Sequence, residues 1–91
     1  MELKIIDNVK DEPDLKTAQD FVGGYVEGIS FPNGDYLIVN EEGKLRGLEL
    51  NVPATRLWRK TFTKDKYAFG YDDWVSGPAI LIKKQALKRW A

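Results

Sequence analysis

The reactive side chains of this sequence are few in kind, since it contains neither cysteine nor histidine. Disulfides, thiolate nucleophiles, imidazole bases and zinc sites of the Cys/His type are therefore excluded. The hydroxyl, lysine and carboxylate groups that remain show no paired nucleophile and base. No spacing matches an EF-hand loop, a P-loop or a dinucleotide glycine fingerprint. We expect a protein that works by binding, with no catalytic residues and no cofactor.

Four carboxylates in the first half of the chain are the candidates for a divalent metal site. They are Glu27, Asp35, Glu41 and Glu42, and hard cations prefer such oxygen ligands. Neighbouring acids such as Glu41 and Glu42 are, however, typical of a solvated turn. We therefore predict no metal site.

Basic and aromatic residues are interleaved in two places, at residues 56–60 and 83–90. Such patterns can bind phosphates and stack on bases. Nucleic-acid-binding domains are usually basic, whereas this chain has no net charge and a calculated pI of about 6.2. Polymeric nucleic acid is therefore the alternative partner. A compact nucleotide, which needs only two or three basic groups and an aromatic ring, stays open.

Charge is divided between the two halves of the chain. Residues 1–52 hold eleven acids and five bases, and residues 53–91 hold three acids and nine bases. Pairing between the halves within the fold is the simpler interpretation, and a charged partner surface is the alternative.

The first half of the sequence predicts a strand, a helix and a hairpin. Residues 3–6 form the strand, and residues 11–22 the helix, with Pro13 in its first turn and Leu15 among the residues of its apolar face. Gly23-Gly24 ends that helix. Residues 25–31 and 36–40 then pair across Asn33-Gly34, a dipeptide that favours a two-residue turn with positive φ at both positions.

The second half predicts a turn at residues 41–44, a second helix, a long loop, a strand and a short basic helix. Asn51 is the expected N-cap of the second helix, which carries an apolar stripe. Its members are Ala54, Leu57, Trp58 and Phe62. The loop spans residues 63–77, the strand 78–82 and the basic helix 84–90. We predict one α+β domain over residues 1–91, an antiparallel sheet with a central hairpin and two to three short helices.

Nothing in the sequence predicts contact with a membrane. No apolar run approaches the roughly 18 residues of a membrane span, and the first residues lack a signal-peptide pattern. The absence of cysteine suits a reducing compartment. We expect a cytoplasmic protein whose oligomeric state the sequence leaves open, a homo-oligomer included.

Two segments, residues 22–27 (Val-Gly-Gly-Tyr-Val-Glu) and 39–48 (Val-Asn-Glu-Glu-Gly-Lys-Leu-Arg-Gly-Leu), resemble domain-of-unknown-function family 3846. The same family has similar segments at residues 51–57 and 75–79. The likeness covers most of residues 20–82 and departs at residues 64–74 and 83–90. Members are small proteins carried largely by phages, plasmids and their hosts.

The resemblance implies a viral or mobile-element setting and no established chemistry. Small phage proteins without enzymatic activity commonly antagonise host defence, either by capping a host protein or by sequestering a signalling nucleotide. We therefore expect an accessory binding protein of that kind, active in the host cytoplasm. A nucleic-acid-associated regulator that uses the basic C-terminal half is the alternative.

The candidate binding face combines the two motifs with the basic start of the second helix. Its residues are Gly23, Gly24, Tyr25, Glu27, Asn40, Glu41, Arg56 and Arg59. The motif positions are polar or glycine, whereas core positions are apolar, so we expect the motifs at the surface. The two arginines are included because arginine binds phosphate and carboxylate groups well. The polar cluster could equally pin the turn through bonds to the backbone.

Overall fold

Four short strands form one mixed sheet in the computed structural model, which describes residues 2–62 and 73–90. They are β1 (Leu3–Ile6), β2 (Val26–Ser30), β3 (Tyr36–Asn40) and β4 (Ala79–Ile82), in the order β1-β4-β3-β2. β1 runs parallel to β4, and the other pairs are antiparallel. The α+β class is confirmed. The prediction of an antiparallel sheet with a central hairpin was wrong, because β1 joins β4 in parallel and the hairpin lies at one edge of a mixed sheet. The hairpin contributes one edge strand, β2, and one internal strand, β3.

Two helices, α1 (Leu15–Val22) and α2 (Val52–Phe62), cover opposite faces of the sheet. Ala18 and Val22 of α1 pack with Ile38 and Ile80, whereas α2 packs its Trp58 on the other face. The internal strands β3 and β4 are therefore apolar at successive positions, because alternate side chains enter opposite layers of the core.

The first helix begins later than the sequence pattern predicted. Asp14 is its N-cap, and the Asp14 carboxylate accepts a hydrogen bond from the Thr17 N–H at 2.8 Å. Pro13 therefore precedes the helix, and a separate 3-10 turn forms at Val9–Asp11. Leu15 is exposed and not on the buried face, so that prediction was wrong. The predicted end is confirmed, since Gly23 adopts the left-handed conformation.

The hairpin pairing is confirmed, but its turn has three residues and not two. Phe31 N–H donates to the Asp35 carbonyl at 2.8 Å, which leaves Pro32, Asn33 and Gly34 as the loop. Only Gly34 of these has positive φ, at 95°. Asn33 instead accepts the Asp35 N–H with its side chain. This arrangement is the common three-residue hairpin with glycine in the left-handed position.

The basic helix predicted at residues 84–90 is reduced to a 3-10 turn at Lys84–Ala86. The buried Glu12 carboxylate accepts the backbone N–H groups of Lys88, Arg89 and Trp90, at 2.8–3.3 Å. These three N–H groups converge on one anion, which a continuing helix would not allow. Sequence patterns cannot reveal this contact, because its partners are more than 70 residues apart.

The second helix is confirmed at its start and on its buried face. Ala54 N–H donates to the Asn51 side chain at 3.1 Å, as expected of an N-cap. Ala54 and Trp58 are buried and Leu57 packs against them, whereas Phe62's side chain lies outside the described part. Of the predicted loop, residues 63–72 also lie outside the described ranges.

Replacing Gly34 by valine should destabilise the protein by about 1–2 kcal/mol, because a β-branched residue resists positive φ. Gly34→Asn is the matched control, since asparagine tolerates this conformation better. Both substitutions place a Cβ near the Lys84 side chain. The difference in stability between the two variants therefore reports mainly the cost of positive φ at residue 34. Urea unfolding measures it, and equal midpoints for the two variants would contradict this account of the turn.

Replacing Glu12 by glutamine should cost about 1–3 kcal/mol near neutral pH, since a buried charge-assisted acceptor is lost. Burial alone would raise the pKa of Glu12, but the three backbone N–H groups and the Arg89 charge lower it below the ordinary 4.5. A carboxylate whose pKa is lowered in the folded state stabilises the fold at pH values above its ordinary pKa. This contribution disappears as the pH falls through the folded-state pKa.

The stability difference between the wild type and Glu12→Gln should therefore shrink as the pH is lowered below 4.5. Asp20→Asn, which changes an exposed carboxylate in the same half of the chain, is the control. Urea unfolding across this pH range is the measurement. A difference that stays constant with pH would contradict the role of the Glu12 charge.

Candidate functional site

The two motifs meet at one end of the sheet, where α1 ends, β2 begins and β3 ends. Glu41 N–H donates to the Tyr25 carbonyl at 2.9 Å, which continues the β2–β3 ladder by one position. Residues 41–47 then turn away from β3. The structure thus brings residues 23–27 and 40–43 together, as the sequence predicted.

Asn40 fastens this end of the sheet. Its side chain is buried, its Nδ2 donates to the Val22 carbonyl at 3.0 Å, and its Oδ1 accepts the Glu42 N–H at 2.8 Å. The amide therefore joins the end of α1 to the turn after β3. Of the two roles considered for Asn40, these bonds support the structural one.

Arg46 is a site residue that the sequence analysis did not select. Its Nη1 donates to the Gly23 carbonyl at 2.9 Å and lies directly against Gly24. A Cβ on Gly24 would come within 2.9 Å of that nitrogen and 3.1 Å of Asn40 Nδ2. Gly24 thus permits a close approach. The available signal was the position of Arg46 within the second motif.

A cleft of about 250 Å³ opens on the α2 side of this end, and we call it the acidic cleft. β2, β3, the following turn, α2 and the segment before β4 all contribute to its walls. Its lining residues are Glu27, Ile29, Val39, Asn40, Glu41, Gly43, Lys44, Leu45, Trp58, Asp73, Trp74, Val75 and Ser76.

The charges of the acidic cleft are only partly paired. Lys44 forms an ion pair with Asp73, and its Nζ lies 4.4 Å from the centre of the Trp74 ring. Burial would raise the pKa of Asp73, but Lys44 and the Trp74 N–H lower it below its ordinary value. Glu27 and Glu41 have no side-chain hydrogen bond or ion pair among the described residues.

The acidic cleft is therefore suited to a cation with an apolar stem. Glu27 and Glu41 supply negative charge at its mouth, where both are exposed. Ile29, Val39 and Trp58 supply an apolar wall, as the α2-side core reaches the cleft. Lysine and arginine side chains combine these two properties, because their stems are apolar and their ends charged.

A second, more open cleft of about 530 Å³ lies on the α1 side, and we call it the arginine cleft. Its lining residues are Gln19, Asp20, Gly23, Gly24, Tyr25, Glu42 and Arg46. The Tyr25 side chain is 68% exposed. Asp20 is paired with Lys16 at 3.3 Å. A planar group could stack on Tyr25 beside the Arg46 guanidinium.

The two arginines predicted for the face lie on α2, away from the motifs. Arg59 Nε donates to the Asp73 carbonyl at 3.3 Å, so it borders the segment that lines the acidic cleft. Arg56 is exposed and lies outside the described lining of both clefts. The structure therefore joins Arg59 to the region of the site and does not bring Arg56 to either cleft.

Within residues 2–62 and 73–90, no three acidic, histidine or cysteine side chains converge to hold a metal ion. No helix in those ranges is long and apolar enough to cross a membrane.

Comparison with known proteins places this chain in one family. The family model described as Domain of unknown function (DUF3846) matches residues 2–87. This match extends beyond residues 20–82 on both sides and includes the start of the C-terminal basic segment. No curated protein and no solved structure matches the chain.

Replacing Asn40 by alanine should destabilise the protein by about 1–3 kcal/mol, because buried partners at Val22 and Glu42 lose their hydrogen bonds. Glu41→Ala, on the neighbouring exposed residue, should change stability by less than about 0.5 kcal/mol. Chemical denaturation of both variants is the measurement. Equal stability of the two would mean that Asn40 does not hold the turn.

Proposed function

This chain belongs to the family of unknown function DUF3846, and we propose that it is a non-enzymatic binding protein that acts by stoichiometric contact with a partner protein at the acidic cleft. The observation that carries the proposal is the pair of exposed carboxylates, Glu27 and Glu41, above an apolar and aromatic wall. Neither has a side-chain partner in the part of the chain that the structure describes. In the phage and plasmid setting that the family resemblance implies, the partner would be a host defence factor.

The composition of the cleft favours a protein over a nucleotide as its ligand. Phosphate groups would be repelled by Glu27 and Glu41, whereas a basic side chain would be attracted. Leu45 is 84% exposed and Trp74 46% exposed at the rim. A large aromatic side chain beside exposed apolar surface is typical of residues that dominate the binding energy of protein interfaces.

A signalling nucleotide at the arginine cleft is the second candidate. The exposed Tyr25 ring could stack on a base, and Arg46 could contact a phosphate. Glu42 and Asp20 also line this cleft, so its electrostatic preference for an anion is smaller than Arg46 alone would suggest. This candidate therefore ranks below a protein partner.

The basic C-terminal half offers less support for a nucleic-acid-associated regulator. Lys83 is paired with the buried Asp35 at 2.9 Å. Arg59 is directed to a backbone carbonyl. Affinity for nucleic acid comes largely from neutralising phosphates with basic side chains. Cations with partners inside the fold are less available for this.

Neutralising the acidic cleft should release the partner. We expect Glu27→Gln combined with Glu41→Gln to weaken capture of the host partner by about tenfold or more, while Tyr25→Ala and Arg46→Ala retain it. Glu49→Gln, at an exposed acid outside the described lining of both clefts, is the control. Quantitative pull-down of one identified protein, with melting temperatures for each variant, is the measurement.

Calorimetry with a panel of linear and cyclic nucleotides completes this test. We expect neither heat of binding nor turnover with Mg²⁺ or Mn²⁺. Nucleotide binding that Arg46→Ala removes would instead establish the second candidate. Turnover lost in Glu27→Gln or Glu41→Gln would show an enzyme. Unchanged capture by the doubly neutralised, folded variant would reject the acidic cleft as the partner site.

A further inference from the structure

The hydrogen-bond register shows which backbone groups of β2 face away from the sheet. Phe31 N–H donates to the Asp35 carbonyl, and the Tyr25 carbonyl accepts from Glu41 N–H. In an antiparallel ladder, residues directed toward the neighbour alternate with residues directed away. Val26, Gly28 and Ser30 therefore direct their N–H and C=O groups to the outer side of β2.

This outer side is open in the part of the chain that the structure describes. β2 ends the strand order, and no described strand pairs with its second edge. Gly28 has no side chain, and the Tyr36 ring lies against it from the neighbouring strand. Gly28 and Ser30 are both exposed. An open edge of this kind is a template for another strand.

The same edge is the rim of the acidic cleft. Glu27 and Ile29 of β2 both line the cleft, because residues two apart share a face of the sheet. A strand added to β2 would lie roughly 4.8 Å away and place every second side chain over that face. A basic residue there would be a cross-strand neighbour of Glu27, a favourable pairing.

We propose that the occupant of β2's outer edge is an extended, basic segment of a partner protein, added as a fifth strand of the described sheet. Backbone bonds to Val26, Gly28 and Ser30 hold the segment, and a Lys or Arg side chain enters the acidic cleft between Glu27 and Glu41. This inference rests on the proposed function and names the form of the ligand.

Charge distinguishes this occupant from a second copy of the chain. Two β2 strands paired antiparallel about Gly28 would put both acidic clefts on the same face of one continuous sheet. Glu27 of each copy would then lie opposite Ile29 of the other and diagonal to the second Glu27, so neither carboxylate would gain a compensating charge. A basic segment instead compensates the charge of Glu27 and Glu41.

The test begins with a displayed library of randomised peptides of about eight residues, a usual strand length. We expect selection of peptides with Lys or Arg at alternate positions. Hydrogen exchange of the complex should then show at least about tenfold slower exchange at the Gly28 and Ser30 amides. Selection without basic residues, or unchanged exchange at these amides, would overturn the proposal.

Ser30→Pro separates strand addition from recognition of charge alone. Proline removes one outward N–H without removing a bond to β3, a position that edge strands tolerate. We expect Ser30→Pro to bind the selected peptide about tenfold more weakly than Ser30→Ala, which keeps the N–H. The exchange measurement on the wild-type protein decides the case if Ser30→Pro does not fold.

The outcomes distinguish this inference from the proposed function. Strand addition is overturned if folded Ser30→Pro binds the peptide normally while the double variant Glu27→Gln/Glu41→Gln loses peptide binding. The acidic cleft then remains the site. Normal binding by both variants overturns both. A dimer in sedimentation that Ser30→Pro dissociates would assign the edge to a second copy and also reject the proposal.

Discussion

The buried amide of Asn51 is the contact on which the arrangement of the layers depends. Its Nδ2 donates to the carbonyls of Glu2 and Gly77, both at 2.8 Å, and its Oδ1 caps α2 at Ala54 N–H. Asn51 is completely buried, so an unmet donor or acceptor there would cost about 1–3 kcal/mol. The entries to β1 and β4 and the start of α2 must therefore meet at this side chain.

That junction also positions one wall of the acidic cleft. Val75 N–H donates to Thr55 Oγ1 at 3.0 Å, one helical turn after Asn51, and Asn51 N–H donates to the Val75 carbonyl. The segment before β4 is thus held against α2, and Trp74 is presented beside Lys44. This wall of the cleft is therefore joined to α2 through buried polar contacts at Val75.

Sequence reasoning succeeded where a residue acts on its own neighbourhood. Gly23 ends α1, Asn51 caps α2 and Gly34 shapes the hairpin, and each effect is local. It failed for Glu12, whose partners are distant in sequence, and it did not indicate the parallel pairing of β1 with β4. Neither propensity nor periodicity contains information on contacts of that range.

The candidate site was predictable in part for the same reason. The two motifs identified the residues of one sheet end, since both are contiguous in sequence. The opposite wall, with Asp73 and Trp74, comes from a segment about 30 residues beyond Lys44, and no local pattern links them. Arg56 was selected for its chemistry alone, and its position on α2 keeps it outside both clefts.

The distribution of satisfied polar groups separates residues that build the fold from residues available for a partner. Among the described residues, no buried side-chain nitrogen or oxygen lacks a hydrogen bond. Asn40, Asn51 and Glu12 are used inside the fold, whereas Glu27 and Glu41 are exposed and have no side-chain partner within residues 2–62 and 73–90. Because two like charges beside an apolar wall add nothing to stability, Glu27 and Glu41 remain available for the basic partner that we propose.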